Sequence, residues 1–104
     1  MFVSHLHAEY NRANDMYVGH RVMQALEAAQ WIKLTSSGAD LTIYAGDFNT
    51  EPVDVPYWLL RSVGQLHDCW LECHDTESVE GHTCDTSYNS YRDSDSVGKA
   101  GLQH

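Results

Sequence analysis

The stretch LTIYAGDFN at residues 41–49 decides the fold class of this chain. Its first five residues, 41–45, are rich in β-branched and aromatic side chains, which is typical of a short buried strand. Gly38 before the run and Gly46 after it bound that strand. We therefore predict a buried strand at residues 41–45, with polar residues following its carboxyl end.

Those polar residues are Asp47 and Asn49, on either side of Phe48. If the strand continues through them, both polar side chains point to one face while Phe48 points into the core. A carboxylate and an amide would then face one ligand, either a hard cation or a phosphoryl oxygen. The alternative is a capped turn, because Gly-Asp and Asn-Thr pairs are common in turns.

A long amphipathic helix is predicted upstream, from about Ala13 to Thr35. Asn14 or Asp15 can cap its start, and the sequence SSG at residues 36–38 can end it. Apolar side chains recur within it at spacings of three and four, the pattern of one buried helix face, at Val18, Val22, Leu26, Ala29 and Ile32.

The first seven residues, MFVSHLH, alternate as a strand does. Phe2, Ser4 and Leu6 would share one side, and Val3, His5 and His7 the other. Strand, helix and strand in this order predict a right-handed parallel crossover, in which ligands gather at the carboxyl ends of the strands. Both the His5 region and the GDFN stretch lie at those ends.

His5 and His7 form the second candidate site. Two histidines at i and i+2 on one face can bind zinc together with a further ligand, or present an acid to a leaving group. The structural alternative is a histidine whose ring is hydrogen-bonded at the end of a strand. The spacing alone favours this structural alternative.

A second zinc site is conceivable at a cluster of cysteines and histidines. The spacings in it are Cys-x₃-Cys and His-x-Cys, which lack the paired Cys-x₂-Cys knuckles of a specific zinc motif. Ordinary reduced cysteines are therefore the favoured interpretation. The cluster consists of Cys69, Cys73, His74, His82 and Cys84.

The second half of the chain carries weaker signals. Residues 56–63 predict a short helix with Pro56 in its first turn and Gly64 as its stop. Residues 66–71 fit either a short helix or the edge of a strand. Residues 85–104 are polar, with few apolar side chains to bury, and predict a loop or a segment that is disordered in isolation.

The acidic composition restricts the possible partners. A net charge of -9 would repel a nucleic-acid backbone, so a general nucleic-acid-binding module is disfavoured. A phosphodiester can still be bound if a divalent cation supplies the positive field.

No apolar run approaches the roughly 20 residues of a membrane span. Three cysteines close together suggest reduced thiols in a cytosol-facing domain.

Three blocks in order resemble the neutral sphingomyelinase branch of the endonuclease/exonuclease/phosphatase superfamily. They are SHLHAEY at residues 4–10, NDMY with HRV at residues 14–22, and GDFN at residues 46–49. GDFN alone marks only the superfamily, whereas HLHAEY points to the sphingomyelinases. Leu66-His67-Asp68 and the sequence GHTC at residues 81–84 resemble later stretches of the same branch.

The resemblance implies a four-layer α/β sandwich that hydrolyses phosphodiesters with Mg²⁺. Sphingomyelin or a related choline phospholipid would be the substrate, split into ceramide and phosphocholine. The side chain of His5 is expected to contact the phosphoryl group near the leaving oxygen. Asp47 and Asn49 would position the attacking water and the phosphate, with Asp47 also a possible metal ligand.

The family takes its principal metal-binding Glu from a region before this segment, and an Asp-His pair from a region after it. The resemblance therefore implies that residues 1–104 are a central fragment of one catalytic domain, and we expect no turnover from it alone. Membrane segments and a cytosol-facing catalytic domain are expected in the full-length parent. The fragment itself is expected to be soluble in the cytoplasm.

Two other functions remain open. One is another hydrolase of the same superfamily, such as a nuclease or an inositol-polyphosphate phosphatase, although the acidic charge and the HLHAEY block speak against both. The other is a non-catalytic truncated product that binds a partner through an incomplete sheet edge. A self-sufficient module would be monomeric and unfold cooperatively, whereas a chain with unpaired strands would need a partner.

Overall fold

The computed structural model describes residues 1–74. The predictions made for residues 85–104, His82 and Cys84 lie outside these residues. In chain order the elements are β1 (Phe2–His5), a 3-10 helix (Arg12–Asn14), α1 (Val18–Thr35), β2 (Tyr44–Asp47), α2 (Val55–Ser62) and α3 (Cys69–Cys73).

β1 and β2 form a two-stranded parallel sheet, which confirms the predicted strand–helix–strand unit. The register pairs Phe2 with Tyr44 and His5 with Asp47. β1 ends two residues earlier than the alternation predicts, and β2 begins three residues later. The first residue of β1, Phe2, pairs with Tyr44. Residues 41 and 42 precede Tyr44 and therefore have no partner on β1.

α1 begins at Val18, so the prediction of a helix from about Ala13 is wrong at its start. The Asn11 side chain accepts hydrogen bonds from the N–H groups of Ala13 and Asn14, which closes a separate 3-10 turn. Asp15 does not cap α1 either, because its backbone is extended and its carboxylate accepts from the Tyr17 N–H. The helix ends at Thr35, just before the predicted stop at residues 36–38.

The buried face of α1 agrees with the predicted apolar stripe at Ala29 and Ile32 but differs from it nearer the start of the helix. Val18 is exposed, while the buried positions of the helix are Arg21, Ala25, Ala29 and Ile32. Arg21 is charged, so a search for recurring apolar residues does not identify its position as part of the buried face. The two alanines are fully buried and present little bulk, which allows α2 to pack closely against α1.

The core lies between these helices and the sheet. Its buried cluster is Leu6, Ala25, Ala29 and Leu60, and Tyr44 and Phe48 pack against it with ring centroids 4.8 Å apart. The prediction that Phe48 turns towards the core is thereby confirmed. Because Leu6 and Phe48 each follow directly on a strand, the core anchors both strand ends.

α2 and α3 complete the described part of the chain. Pro56 lies in the first turn of α2, and Gly64 follows its end, as predicted. Residues 66–71 were left open between a short helix and the edge of a strand, and the helix is observed, since α3 begins at Cys69. Within residues 1–74 the helices lack the combination of length and apolar character that a bilayer span requires.

Candidate functional site

Parallel pairing brings the two candidate strand ends together. His5 and Asp47 are register partners at the carboxyl ends of β1 and β2, and the Nε2 atom of His5 lies 3.6 Å from the Oδ2 atom of Asp47. Both side chains are open to solvent, with 71% and 62% of their surface exposed. An imidazole beside a carboxylate can exchange a proton with a ligand and be oriented by its partner.

Asn49 occupies a different environment. Its φ of 46° is left-handed, so the strand does not continue through it, and the prediction that Asp47 and Asn49 share one extended face is wrong. Asp47 Oδ1 accepts a hydrogen bond of 3.0 Å from the Asn49 N–H, which is the capped turn that was the open alternative.

The amide of Asn49 connects the two strand ends. Its side chain is buried, and Nδ2 donates a hydrogen bond of 2.9 Å to the carbonyl oxygen of Leu6, the residue after His5. The Leu6 N–H in turn donates to the carbonyl oxygen of Asp47 at 2.9 Å. These two bonds fix the end of β1 against the end of β2, and with it the position of His5.

His7 has the structural role that was its alternative interpretation. Its ring stacks on that of Tyr17 at a centroid distance of 4.2 Å, and its Nδ1 atom lies 3.1 Å from the carbonyl oxygen of Ala8. The His7 N–H donates to Oε1 of Gln24 on α1 at 2.9 Å. These contacts place His7 in the packing of the loop after β1.

Magnesium requires several oxygen ligands in near-octahedral geometry and usually takes one or two carboxylates together with substrate phosphates. The strand ends supply one exposed carboxylate, Asp47. Among residues 1–74 no three His, Cys, Asp or Glu side chains lie close enough together to hold a metal ion. Mg²⁺ remains a prediction from the resemblance, with Asp47 as its candidate ligand in this chain.

The zinc hypothesis for the cysteine cluster receives no structural test as a whole. Cys69 and Cys73 lie on α3 as exposed free thiols. The ring of His74 stacks on Trp70, with centroids 4.0 Å apart. Since the remaining two members lie outside the described residues, the site stays a prediction.

Two arginines near the strand ends were not among the predicted site residues. Arg21 is 2% exposed, pairs with Asp15, and reaches Glu9 at 3.7 Å and the carbonyl oxygen of His7 at 3.5 Å. Arg12 contacts Glu9 and two acids of the loop after β2. The sequence offered one signal that could have identified these two arginines. The chain has only six Lys and Arg residues against fifteen Asp and Glu residues, so each basic residue is expected to have acidic partners.

The charges in this network perturb one another. Burial alone would raise the pKa of Asp15, but hydrogen bonds from Arg21 and from the Tyr17 N–H, with the charge of Arg21, hold that pKa below its ordinary value. Burial would lower the pKa of Arg12, and the charges of Asp54, Glu51 and Glu9 outweigh it, so that pKa is raised. Both groups are ionised across the physiological range.

Replacing Asp15 with Asn is expected to destabilise the chain by about 3 kcal/mol near neutral pH, because the buried Arg21 loses its closest counter-charge. Since the pKa of Asp15 is depressed in the folded state, its stabilisation is present above its unfolded pKa of about 3.9 and is lost as pH falls through the lower folded value.

Urea unfolding measured from neutral pH down to below pH 4 tests this prediction. The difference between the parent chain and Asp15→Asn should shrink in the acid range. Asp40→Asn, at an exposed coil position, is the matched control and should change little at any pH. An Asp15→Asn effect that is small at neutral pH, or that grows as the pH falls, would contradict the expectation.

No protein-family profile matches the chain. It is 40% identical over 103 residues to a putative neutral sphingomyelinase of Caenorhabditis elegans, a match that covers 86% of this chain and 24% of the relative. Human sphingomyelin phosphodiesterase 2 is 49% identical over 83 residues, covering 79% of this chain and 20% of the relative.

A third relative has a different named substrate. The inositol phosphosphingolipids phospholipase C of Schizosaccharomyces pombe is 33% identical over 109 residues, covering 89% of this chain and 26% of the relative. The chain thus spans about a fifth to a quarter of the length of the curated relatives it matches. The similarity extends over most of this chain in each case.

Proposed function

Because the chain is homologous to the neutral sphingomyelinases over most of its length, we propose that it forms part of the active site of a phosphodiesterase acting on sphingomyelin or a related choline phospholipid. The observation that carries this proposal is the pairing of His5 with Asp47 at the carboxyl ends of two parallel strands. Ligands of α/β sheets bind at such ends. Contact with a membrane follows from a lipid substrate.

The proposed roles follow from the contacts of each group. The imidazole of His5 is exposed and can donate a proton or a hydrogen bond to a phosphoryl or leaving oxygen. Asp47 orients that imidazole through Oδ2 while its Oδ1 stays fixed by the Asn49 N–H, and it can also orient an attacking water. Mg²⁺, which the resemblance implies, would stabilise charge on the phosphate when bound, with further ligands from outside the described residues.

The burial of Asn49 supports a positional role in addition to the phosphate contact that the resemblance implies. Its amide donates to the Leu6 carbonyl oxygen and so holds the loop that follows His5. The four-layer sandwich remains a prediction for the longer domain. The described β-α-β unit and α2 fit one portion of it.

The test is a chimera of human sphingomyelin phosphodiesterase 2 in which the matching segment is replaced by this chain, hereafter the chimera. The alignment of 83 residues, at 49% identity, defines the segment to exchange. We expect the chimera to hydrolyse sphingomyelin with Mg²⁺, while residues 1–104 alone give no turnover. A folded but inactive chimera would contradict the proposal, as would preferential cleavage of DNA.

A second substrate class is favoured by the similarity to the fission-yeast phospholipase C. The same chimera should therefore be offered an inositol phosphosphingolipid beside sphingomyelin. A higher kcat/KM for the inositol lipid than for sphingomyelin would make the inositol lipid the proposed substrate. The proposed phosphodiesterase chemistry would be unchanged. The non-catalytic alternative predicts instead that the chain binds a partner and contributes nothing to turnover in the chimera.

A further inference from the structure

Arg12 lies in the first of the two loops that follow the strands, and its side chain reaches the second. We call residues 6–17 the first loop and residues 48–54 the second loop. The Nη1 atom of Arg12 is 3.2 Å from Oε2 of Glu9 in the first loop. Its Nη2 atom is 2.8 Å from Oε2 of Glu51 and 3.4 Å from Oδ1 of Asp54, both in the second loop. One guanidinium therefore bridges both loops.

The acids that Arg12 contacts are themselves anchored. Glu9 is 8% exposed and lies 3.7 Å from Arg21 on α1. Asp54 precedes α2, and its Oδ2 atom accepts a hydrogen bond of 2.8 Å from the Glu51 N–H. Because each acid is fixed to its own helix or loop, Arg12 joins two ordered parts of the chain. A planar guanidinium presents five donors in a fixed fork and can contact several carboxylates at once.

The bridged loops begin at the candidate site. The first loop starts at Leu6, whose N–H and carbonyl oxygen bond to Asp47 and Asn49. If the loops separate, these two bonds between the strand ends are strained. His5 would then no longer be held beside Asp47.

We propose that Arg12 is a positioning residue, which clamps the first loop to the second and thereby keeps His5 in register with Asp47. It touches neither of them directly. The clamping is a property of this chain, whereas its consequence for turnover rests on the function proposed above. The two parts are therefore tested separately.

The first experiment measures amide hydrogen exchange in the full 104-residue chain and in its Arg12→Gln variant. We expect exchange of the Leu6 and Asn49 amides to become about threefold to tenfold faster, since a partly exposed ion-pair network is modest in energy. The Phe2 amide, bonded to Ile43 at the other end of the sheet, should be unchanged, as should that of Val63 at the end of α2.

Arg61→Gln is the matched control, because Arg61 lies over the rings of Tyr57 and Trp58 on α2 and contacts neither loop through a carboxylate. It should leave Leu6 and Asn49 exchange unchanged. Faster exchange of all four reporter amides in Arg12→Gln would mean that the arginine serves global stability only, and would overturn the proposal. Unchanged Leu6 exchange would overturn it equally.

The second experiment introduces Arg12→Gln and Glu51→Gln, singly and together, into the chimera. We expect kcat to fall about tenfold in Arg12→Gln and by less in Glu51→Gln, which leaves the contact with Asp54, with KM nearly unchanged in both. The double variant should lose no more than Arg12→Gln alone, because that single change already removes the whole bridge. Additive losses, or a change in KM alone, would overturn the positioning role. If the parent chimera is inactive, the proposed function fails, and the exchange data still decide whether Arg12 clamps the loops.

Discussion

Replacing Asp47 with Asn in the chimera is expected to lower sphingomyelin turnover by about 10²–10⁴-fold, the range for loss of an acid–base or charge-stabilising group. Asn retains an oxygen that can accept from the Asn49 N–H, so the turn after β2 should persist. What disappears is the negative charge 3.6 Å from the imidazole of His5. The loss should therefore appear in kcat with little change in thermal stability.

Matched variants make this result specific. Asp40→Asn removes an exposed aspartate from the coil before β2 and should leave turnover unchanged. His67→Ala is the control for His5→Ala, since His67 is also exposed and lies 3.1 Å from a carboxylate, that of Glu72. If His5 and Asp47 act as one unit, their double variant should lose much less than the product of the two single losses. An Asp47→Asn chimera with normal turnover would remove Asp47 from the proposed site.

Replacing Gly46 with Ala is expected to destabilise the chain by about 3 kcal/mol or more. Gly46 has a φ of +145°, and a Cβ atom on it would lie 1.8 Å from the carbonyl oxygen of Ser4 and 2.9 Å from its carbonyl carbon. Ser4 is the register partner of Gly46, so the clash falls on the backbone of β1 itself. The two strands can avoid it only by separating next to His5 and Asp47.

Gly19→Ala is the control for this change. Gly19 lies in the first turn of α1, where an added Cβ meets no heavy atom within 4 Å, and alanine should stabilise the helix by about 0.5–1 kcal/mol. Urea unfolding measures both variants, and exchange of the Leu6 amide reports whether the strand ends have separated. Equal unfolding midpoints for Gly46→Ala and the parent chain would show that the two backbones do not approach as closely as described.

The candidate site was predictable in part. His5, Asp47 and Asn49 were identified from the polar residues near the carboxyl ends of two predicted strands, and parallel pairing brings their segments together. The geometry of Asn49 was not predicted, because a residue at φ 46° breaks the alternation on which a shared face depends. Arg12 was missed, since two of its three carboxylate partners lie in a loop that begins more than thirty residues further along the chain.

The fold was predicted to a similar extent. The β-α-β order and the α2 helix follow from the spacing of apolar residues and from Gly and Pro at the ends of elements, which are local signals. The start of α1 and the first half of its buried face were predicted wrongly, because Asn11 and Asp15 hold the preceding backbone in hydrogen-bonded turns and Arg21 occupies a buried position. Side chains that bond to nearby N–H groups compete with the helix in ways that a period does not reveal.

The sequence by itself determined the class of the chain, the order of its elements and the residue types at the strand ends, because each of these depends on neighbouring residues. Only the tertiary structure decided the register that places His5 opposite Asp47, the turn that buries Asn49 and the bridge made by Arg12. Register and ion-pair partners are set by packing between distant segments, where backbone hydrogen bonds and buried charges must be satisfied together.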